Sequence, residues 1–175
     1  HPDDVALLRQ ALRGDRRAKV LDIDAWHAIR ALLPPKERRG LILIDPPFEE
    51  AGELERMAAG LDDGLRRFAT GVYLLWVPIK DTSRIATFRR ALKVLGLRAS
   101  LWAELRVAPV AADGPLTATA LAIVNPPYGL ADDLALLLPF FAEEPTDYLP
   151  KTGENLRRWR ASPADRSLQQ LLMRH

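Results

Sequence analysis

Residues 41–50 read LILIDPPFEE: four aliphatic side chains in a row, then an acid, two prolines and an aromatic ring. An apolar run without polar alternation is the pattern of a strand covered on both faces, the usual situation in a parallel sheet. The prolines hold φ near −65° and carry no N–H, so the strand ends there. Asp45 therefore stands at the strand's mouth. The same ending recurs at 121–129, LAIVNPPYG, with Asn125 in place of the acid. Either one copy carries chemistry, or both merely terminate strands.

Outward from these two runs, helical and strand patterns alternate. VALLRQALR (5–13) has helical spacing and ends at Gly14, and AKVLDI (18–23) is a short apolar strand pattern. Asp24 then introduces AWHAIRALL, a helix stopped by Pro34 and Pro35. A helical region covers about 50–68, with Gly60 and Gly64 as its weak points. GVYLLWVPI (71–79) reads as strand, with Trp76 as a core residue. TSRIATFRRALKVLG (82–96) reads as a helix capped by Thr82 or Ser83 and closed by Gly96. SLWAELRVAPV (100–110) alternates, ALAIV (120–124) is apolar, and only the loop at 112–115 joins them, which predicts an antiparallel hairpin at one sheet edge. LADDLALLLPFFAEE (130–144) is helical until Pro139 bends or ends it. The whole is an α/β chain with helices on both faces of one sheet.

Composition narrows the function classes. With 175 residues, 48% hydrophobic and 27% charged, the chain has the make-up of one globular domain. No apolar run approaches the roughly 18 residues of a membrane span, and no export signal stands at the start. The absence of cysteine excludes disulfides and thiolate metal sites and fits a cytoplasmic setting. His1, His27 and His175 share no metal-ligand spacing, so no metal is expected. The net charge of +2 is unevenly spread: residues 151–175 hold six basic and two acidic groups, and the rest is slightly acidic. We divide the chain accordingly into a domain at 1–150 and a basic tail at 151–175. A basic tail with Trp159 amid Arg157–Arg160 suits RNA, and it equally suits a solvated end. Arg66, Arg67 and Lys80 are open to the same two readings.

Ligands of open α/β sheets bind beyond the carboxyl ends of the strands, where Asp45 stands. A carboxylate and a turn carbonyl that lacks a local donor both accept hydrogen bonds from an exocyclic amine, and the ring of Phe48 offers a face on which a base stacks, worth roughly 1–3 kcal/mol. Two acceptors draw such an amine toward tetrahedral geometry and free its lone pair. Positioning of that kind lowers a barrier by several kcal/mol, within a ceiling of about 7–11.

An Asp or Asn, two prolines and an aromatic after a buried strand resembles the signature of S-adenosylmethionine-dependent amino-methyltransferases. HPDDVALLRQAL, LPPKERRGLILIDPPFEE, RRFATGVYLLWVPIKD and LAIVNPPYGLADDL, in this order over about residues 1–141, are together similar to the RlmJ family, which methylates adenine N6 in large-subunit (23S) ribosomal RNA. The resemblance implies a Rossmann-like class I S-adenosylmethionine-dependent methyltransferase sheet with an antiparallel C-terminal hairpin. It implies Asp45 as the catalytic residue, which also lies beside the cofactor, and Pro46, Pro47 and Phe48 as substrate-binding residues. Asp24 and Ala25 match the adenosine-binding acid and glycine, with alanine departing from the pattern. Asp24 also reads as a simple helix cap. The family has a similar Asn-Pro-Pro-aromatic where this chain has Asn125 to Tyr128, and that copy is not its catalytic set; it is expected to end its strand and shape the pocket wall.

A methyltransferase of this kind has a glycine-rich turn after its first strand, and no two of the ten glycines here stand as G-x-G. In the strand order 3-2-1-4-5-7-6, residues 18–23 would be the third strand and 40–44 the fourth, with strands one and two between them. The chain opens with His1 rather than Met. It is expected to be the carboxyl part of the enzyme, incomplete at its N-terminal side, and inactive with poor cofactor binding on its own. The competing expectation is a non-catalytic RNA-binding pseudo-methyltransferase fragment. A nicotinamide-dependent oxidoreductase is disfavoured because the phosphate-cradling glycines are missing.

Overall fold

A computed structural model describes residues 2–111 and 114–143. In chain order these form α1 (Pro2–Ala11), α2 (Ala25–Leu32), β1 (Leu41–Ile44), α3 (Glu53–Arg67), β2 (Val72–Pro78), α4 (Thr82–Val94), β3 (Ser100–Arg106), β4 (Ala118–Val124) and α5 (Leu130–Glu143). The basic tail and its expected helix near 166–173 lie outside the described residues.

One four-stranded sheet runs β1-β2-β4-β3. β1 and β2 are parallel, and β4 is antiparallel to both β2 and β3. That is the 4-5-7-6 portion of the expected order, with β3 and β4 as the predicted hairpin and β3 at the edge. Parallel β1 and β2 need a crossover, supplied by α3.

The register fixes two faces. Ile42, Ile44, Tyr73, Leu75, Ala122 and Val124 share one of them. Onto it α3 lays Leu54, Met57 and Leu61, and α4 lays Ile85, Phe88 and Leu92, each set at i, i+3, i+7. Gly60 and Gly64, expected as weak points of α3, are instead where two rings sit against the helix. A Cβ on Gly60 would lie 2.6 Å from the Trp26 indole of α2, and one on Gly64 would lie 2.8 Å from the Tyr73 ring. Tyr73 is fully buried and donates its hydroxyl to the Phe68 carbonyl at 3.0 Å.

Four expectations need correction. Residues 18–23 form no strand, and Leu21 and Ile23 are exposed. A strand requires a hydrogen-bonding neighbour, and the outer edge of β1 has none among the described residues. β1 is not covered on both faces: Leu41 and Leu43 are 61% and 60% exposed, because α5 packs on the opposite flank of the sheet, against β3. Trp76 belongs to that same second face and is half-buried rather than core. Finally, Asp81, not Thr82 or Ser83, caps α4, accepting from the Ser83 and Arg84 N–H groups at 2.8 and 3.2 Å. Helix α5 continues through Pro139 to Glu143.

Candidate active site at the carboxyl end of β1

Where β1 ends, the chain turns through Asp45-Pro46-Pro47 into Phe48, which takes a left-handed φ of 58°. Beside this turn lies an open cleft of about 780 Å³ between β1 and α2. Asp45, Pro46 and Pro47 line it together with Asp24 and Ala25. Residues separated by twenty positions thus face the same space. The Asp45 side chain is exposed and accepts no hydrogen bond among the described residues, which leaves both oxygens for a ligand.

Asp24 holds the other end. Its Oδ1 accepts from the His27 N–H at 2.8 Å and caps α2. The cap occupies a single oxygen, so capping and ligand binding are compatible at this residue. His27 itself is exposed, as a surface residue should be.

The cleft is strongly acidic. Asp24, Asp45, Glu49, Glu50 and Glu53 line it against a lone guanidinium, Arg56. Arg56 bridges Glu50 at 2.6 Å and Glu53 at 2.9 Å, and also reaches the Ala51 carbonyl at 3.3 Å. Its charged form is favoured first by the hydrogen bond to Glu50 and further by the field of Glu53 and Asp24. Glu53 is nearly buried and keeps its charge partner at i+3. Nothing in the sequence reading isolated this Glu50–Glu53–Arg56 cluster, although the i, i+3 spacing in ELER was there to see.

Phe48 does not line the main cleft. Its ring packs in a T-shaped contact on Trp76, with centroids 5.9 Å apart, and borders a smaller notch of about 140 Å³ with Pro78, Lys80 and Arg84. The three basic candidates separate. Lys80 lies at this notch, Arg66 pairs with Asp62 on α3, and Arg67 stands exposed at the far end of α3.

The second Pro-Pro copy is elsewhere. Asn125 follows Val124, which is level with Tyr73, whereas Asp45 follows Ile44, which is level with Leu75. Because β4 runs antiparallel, the chain leaves it at the opposite end of the sheet, about 13 Å away along the strands. Asn125 donates both amide N–H groups, to Ala69 and Gly71 at 2.9 and 2.8 Å, from a left-handed backbone of φ 53°. It ties the end of β4 to the turn before β2. The expectation that this copy shapes the pocket wall is corrected: it does not line the cleft, and Tyr128 projects fully into solvent.

Among the described residues no group of His, Asp and Glu is placed to hold a metal ion, and no helix is long and apolar enough to cross a membrane.

Comparisons with known proteins agree with this architecture. A solved structure from Legionella pneumophila str. Philadelphia 1 superposes with a TM-score of 0.74 at 29% identity, over 81% of this chain and 54% of that one. Ribosomal RNA large subunit methyltransferase J of Escherichia coli (strain K12) is 39% identical over 140 residues, which is 80% of this chain and 50% of the relative. The protein of the same name from Haemophilus influenzae (strain ATCC 51907 / DSM 11121 / KW20 / Rd) is 34% identical over 143 residues, 82% of this chain and 51% of the relative. The chain thus spans about half the length of the curated relatives it matches. The family model described as ribosomal RNA large subunit methyltransferase D, RlmJ, matches residues 1–161. With that match added to a 4-5-7-6 sheet and an open Asp-Pro-Pro-Phe turn, the chain belongs to the RlmJ family.

Proposed function

We propose that the protein, in its full-length form, methylates the N6 amino group of an adenine in large-subunit (23S) ribosomal RNA, with S-adenosylmethionine as methyl donor. The observation that carries this reading is the unpartnered Asp45 carboxylate at the end of a parallel strand, in one cleft with Asp24. The relatives' printed names supply the substrate class.

The donor set fits the cofactor. S-adenosylmethionine carries a sulfonium and an ammonium group, and five carboxylates around one guanidinium favour a cation. When bound, the cofactor supplies an electrophilic methyl group. Asp24 and Ala25 would hold its adenosine end through the Asp24 oxygen that the helix cap leaves free, and Asp45 would face its methionine end.

Within the cleft, this chain's own groups position the target amine. A carboxylate oxygen of Asp45 and a carbonyl of the Pro46-Pro47 turn accept its two N–H bonds. That pulls the nitrogen out of conjugation with the ring and aims its lone pair into the cleft. The prolines hold the acceptors fixed, so little reorganisation is needed at the moment of transfer. An exposed Asp45 then relays the surplus proton to water. Phe48 stacks on the flipped base if its ring leaves Trp76 on substrate binding, and the base itself must be turned out of its stack to enter. The setting is the cytoplasm, where ribosomal RNA is met.

The test is nucleoside analysis of RNA treated with the full-length protein. N6-methyladenine formed by the wild type and lost in Asp45→Ala is expected. RNA binding without methyl transfer by the wild type would point instead to a non-catalytic RNA-binding domain.

A further inference from the structure

A cleft lined by five carboxylates suits a base and a cationic cofactor, but it repels the polyanion to which the base is attached. The phosphates must be held on another surface. Helix α4 is the best placed. Between Thr82 and Arg98 the chain carries Arg84, Arg89, Arg90, Lys93 and Arg98 and not one carboxylate. All five are exposed, and none forms an ion pair among the described residues. Several arginines elsewhere are neutralised, as Arg17 is by Asp15, Arg30 by Asp63, Arg66 by Asp62 and Arg106 by Glu104.

The nearest acids are already engaged: Glu50 and Glu53, which line the notch beside Lys80 and Arg84, are both bridged by Arg56. Asp81 caps the helix, with its carboxyl held below the usual range first by the Ser83 hydroxyl. Glu104 is bonded to Arg106 and to the Trp102 indole. Arg89 lies over Trp102 at 4.9 Å from its ring centroid, a contact that fixes the guanidinium without using its N–H donors.

Position adds the second argument. α4 starts at the notch it shares with Phe48 and Lys80, at the same end of the sheet as Asp45. It then runs down the sheet to a groove of about 360 Å³ between Arg89, Lys93 and Trp102. From Arg84 to Lys93 the cations span about 14 Å along the helix axis, with Arg89, Arg90 and Lys93 on one side of the helix and Arg84 at its notch end.

From this, and resting on the proposed RNA activity, we infer that α4 with Lys80 is the docking surface for the RNA sugar–phosphate backbone next to the target adenine. Another cation-rich stretch, with Arg13, Arg16 and Lys19, lies on an exposed segment near α1 and serves as the comparison.

The experiment measures RNA affinity of the full-length protein against salt concentration, for wild type, for Arg84→Ala/Arg90→Ala/Lys93→Ala, and for Arg13→Ala/Arg16→Ala/Lys19→Ala. Arg89 is left in place because it packs on Trp102. Each phosphate contact contributes about 0.7–0.9 to the slope of log K against log salt, so the α4 triple variant should lose about 2 from that slope. Near 0.1 M salt it should bind on the order of 100-fold more weakly. KM for RNA should rise with kcat at saturation unchanged, and the charge-conserving Arg84→Lys/Arg90→Lys/Lys93→Arg should restore the slope. An unchanged slope in the α4 triple overturns the inference, as does loss confined to the Arg13 set, or α4-dependent binding to anionic vesicles with RNA affinity unaltered. If the wild type neither binds nor methylates RNA, the proposed function itself fails. If it does both and only the α4 result is negative, the inference fails alone.

Discussion

Substituting Asn125 separates the two Pro-Pro turns by their physics. In Asn125→Ala the two donors to Ala69 and Gly71 disappear. Hydrogen bonds of this kind are worth about 0.5–1.5 kcal/mol each. The left-handed φ of 53° adds a further cost, because alanine tolerates it less well than asparagine by about 1 kcal/mol. The expected destabilisation is therefore about 2–4 kcal/mol, or a fall in Tm of roughly 5–15 °C at 2–4 °C per kcal/mol. Asn125→Gly relieves the backbone but not the lost donors, so it should recover about 1 kcal/mol of that loss. Thermal unfolding by circular dichroism reads these differences, and kcat measured well below Tm should stay at the wild-type value. A Tm within a degree of wild type, combined with loss of methyl transfer, would refute the assignment of Asn125 to structure and of Asp45 to chemistry.

Other outcomes follow from the same geometry. Gly64→Ala gains about 1 kcal/mol of helix propensity but drives a Cβ into the hydrogen-bonded Tyr73 ring, so a net loss of about 1–2 kcal/mol is expected in urea unfolding. Burial pushes the Tyr73 phenol up to about 12 from 10. Because the folded state holds that proton more tightly, its stabilisation is complete below pH 10 and fades as pH rises through 12, and Tyr73→Phe should flatten the alkaline limb of the stability curve. Asp24→Asn keeps a good cap for α2 and removes the charge. Titration calorimetry of the full-length protein should then show S-adenosylmethionine binding weakened about tenfold with Tm unchanged, whereas Asp24→Ala should lower both.

Much of this fold is readable along the chain because local pattern and tertiary setting agree. The apolar runs at β1, β2 and β4 and the i, i+3, i+7 stripes of α3 and α4 need no long-range information. Residues 18–23 show the limit. Their pattern is that of a strand, but strand formation depends on a neighbour's backbone, which no periodicity within six residues reveals. The same holds for Leu41 and Leu43: an apolar run states what could be covered, and only the packing of α5 on the opposite flank decides what is. Gly60 and Gly64 read as helix defects in isolation and as seats for Trp26 and Tyr73 once the partners are known. At the site, Asp45 was legible through its motif, and Asp24 through the family resemblance, its cap chemistry alone pointing only to a helix start. The separation of Asn125 from them rests on strand direction across the sheet, and the Glu50–Arg56 arm on a turn that brings them together, while the Glu53–Arg56 half was legible as an i, i+3 pair.

The most direct measurement is the single-turnover rate of methyl transfer by the full-length protein preloaded with cofactor and RNA, compared between Asp45→Ala and wild type. Interactions completed only in the transition state and worth about 4 kcal/mol correspond to roughly a thousandfold in rate. The account predicts a loss of that order in Asp45→Ala, with RNA affinity kept. A rate within a few fold of wild type would contradict it, since among the described residues no other free carboxylate-and-proline turn stands at the end of β1.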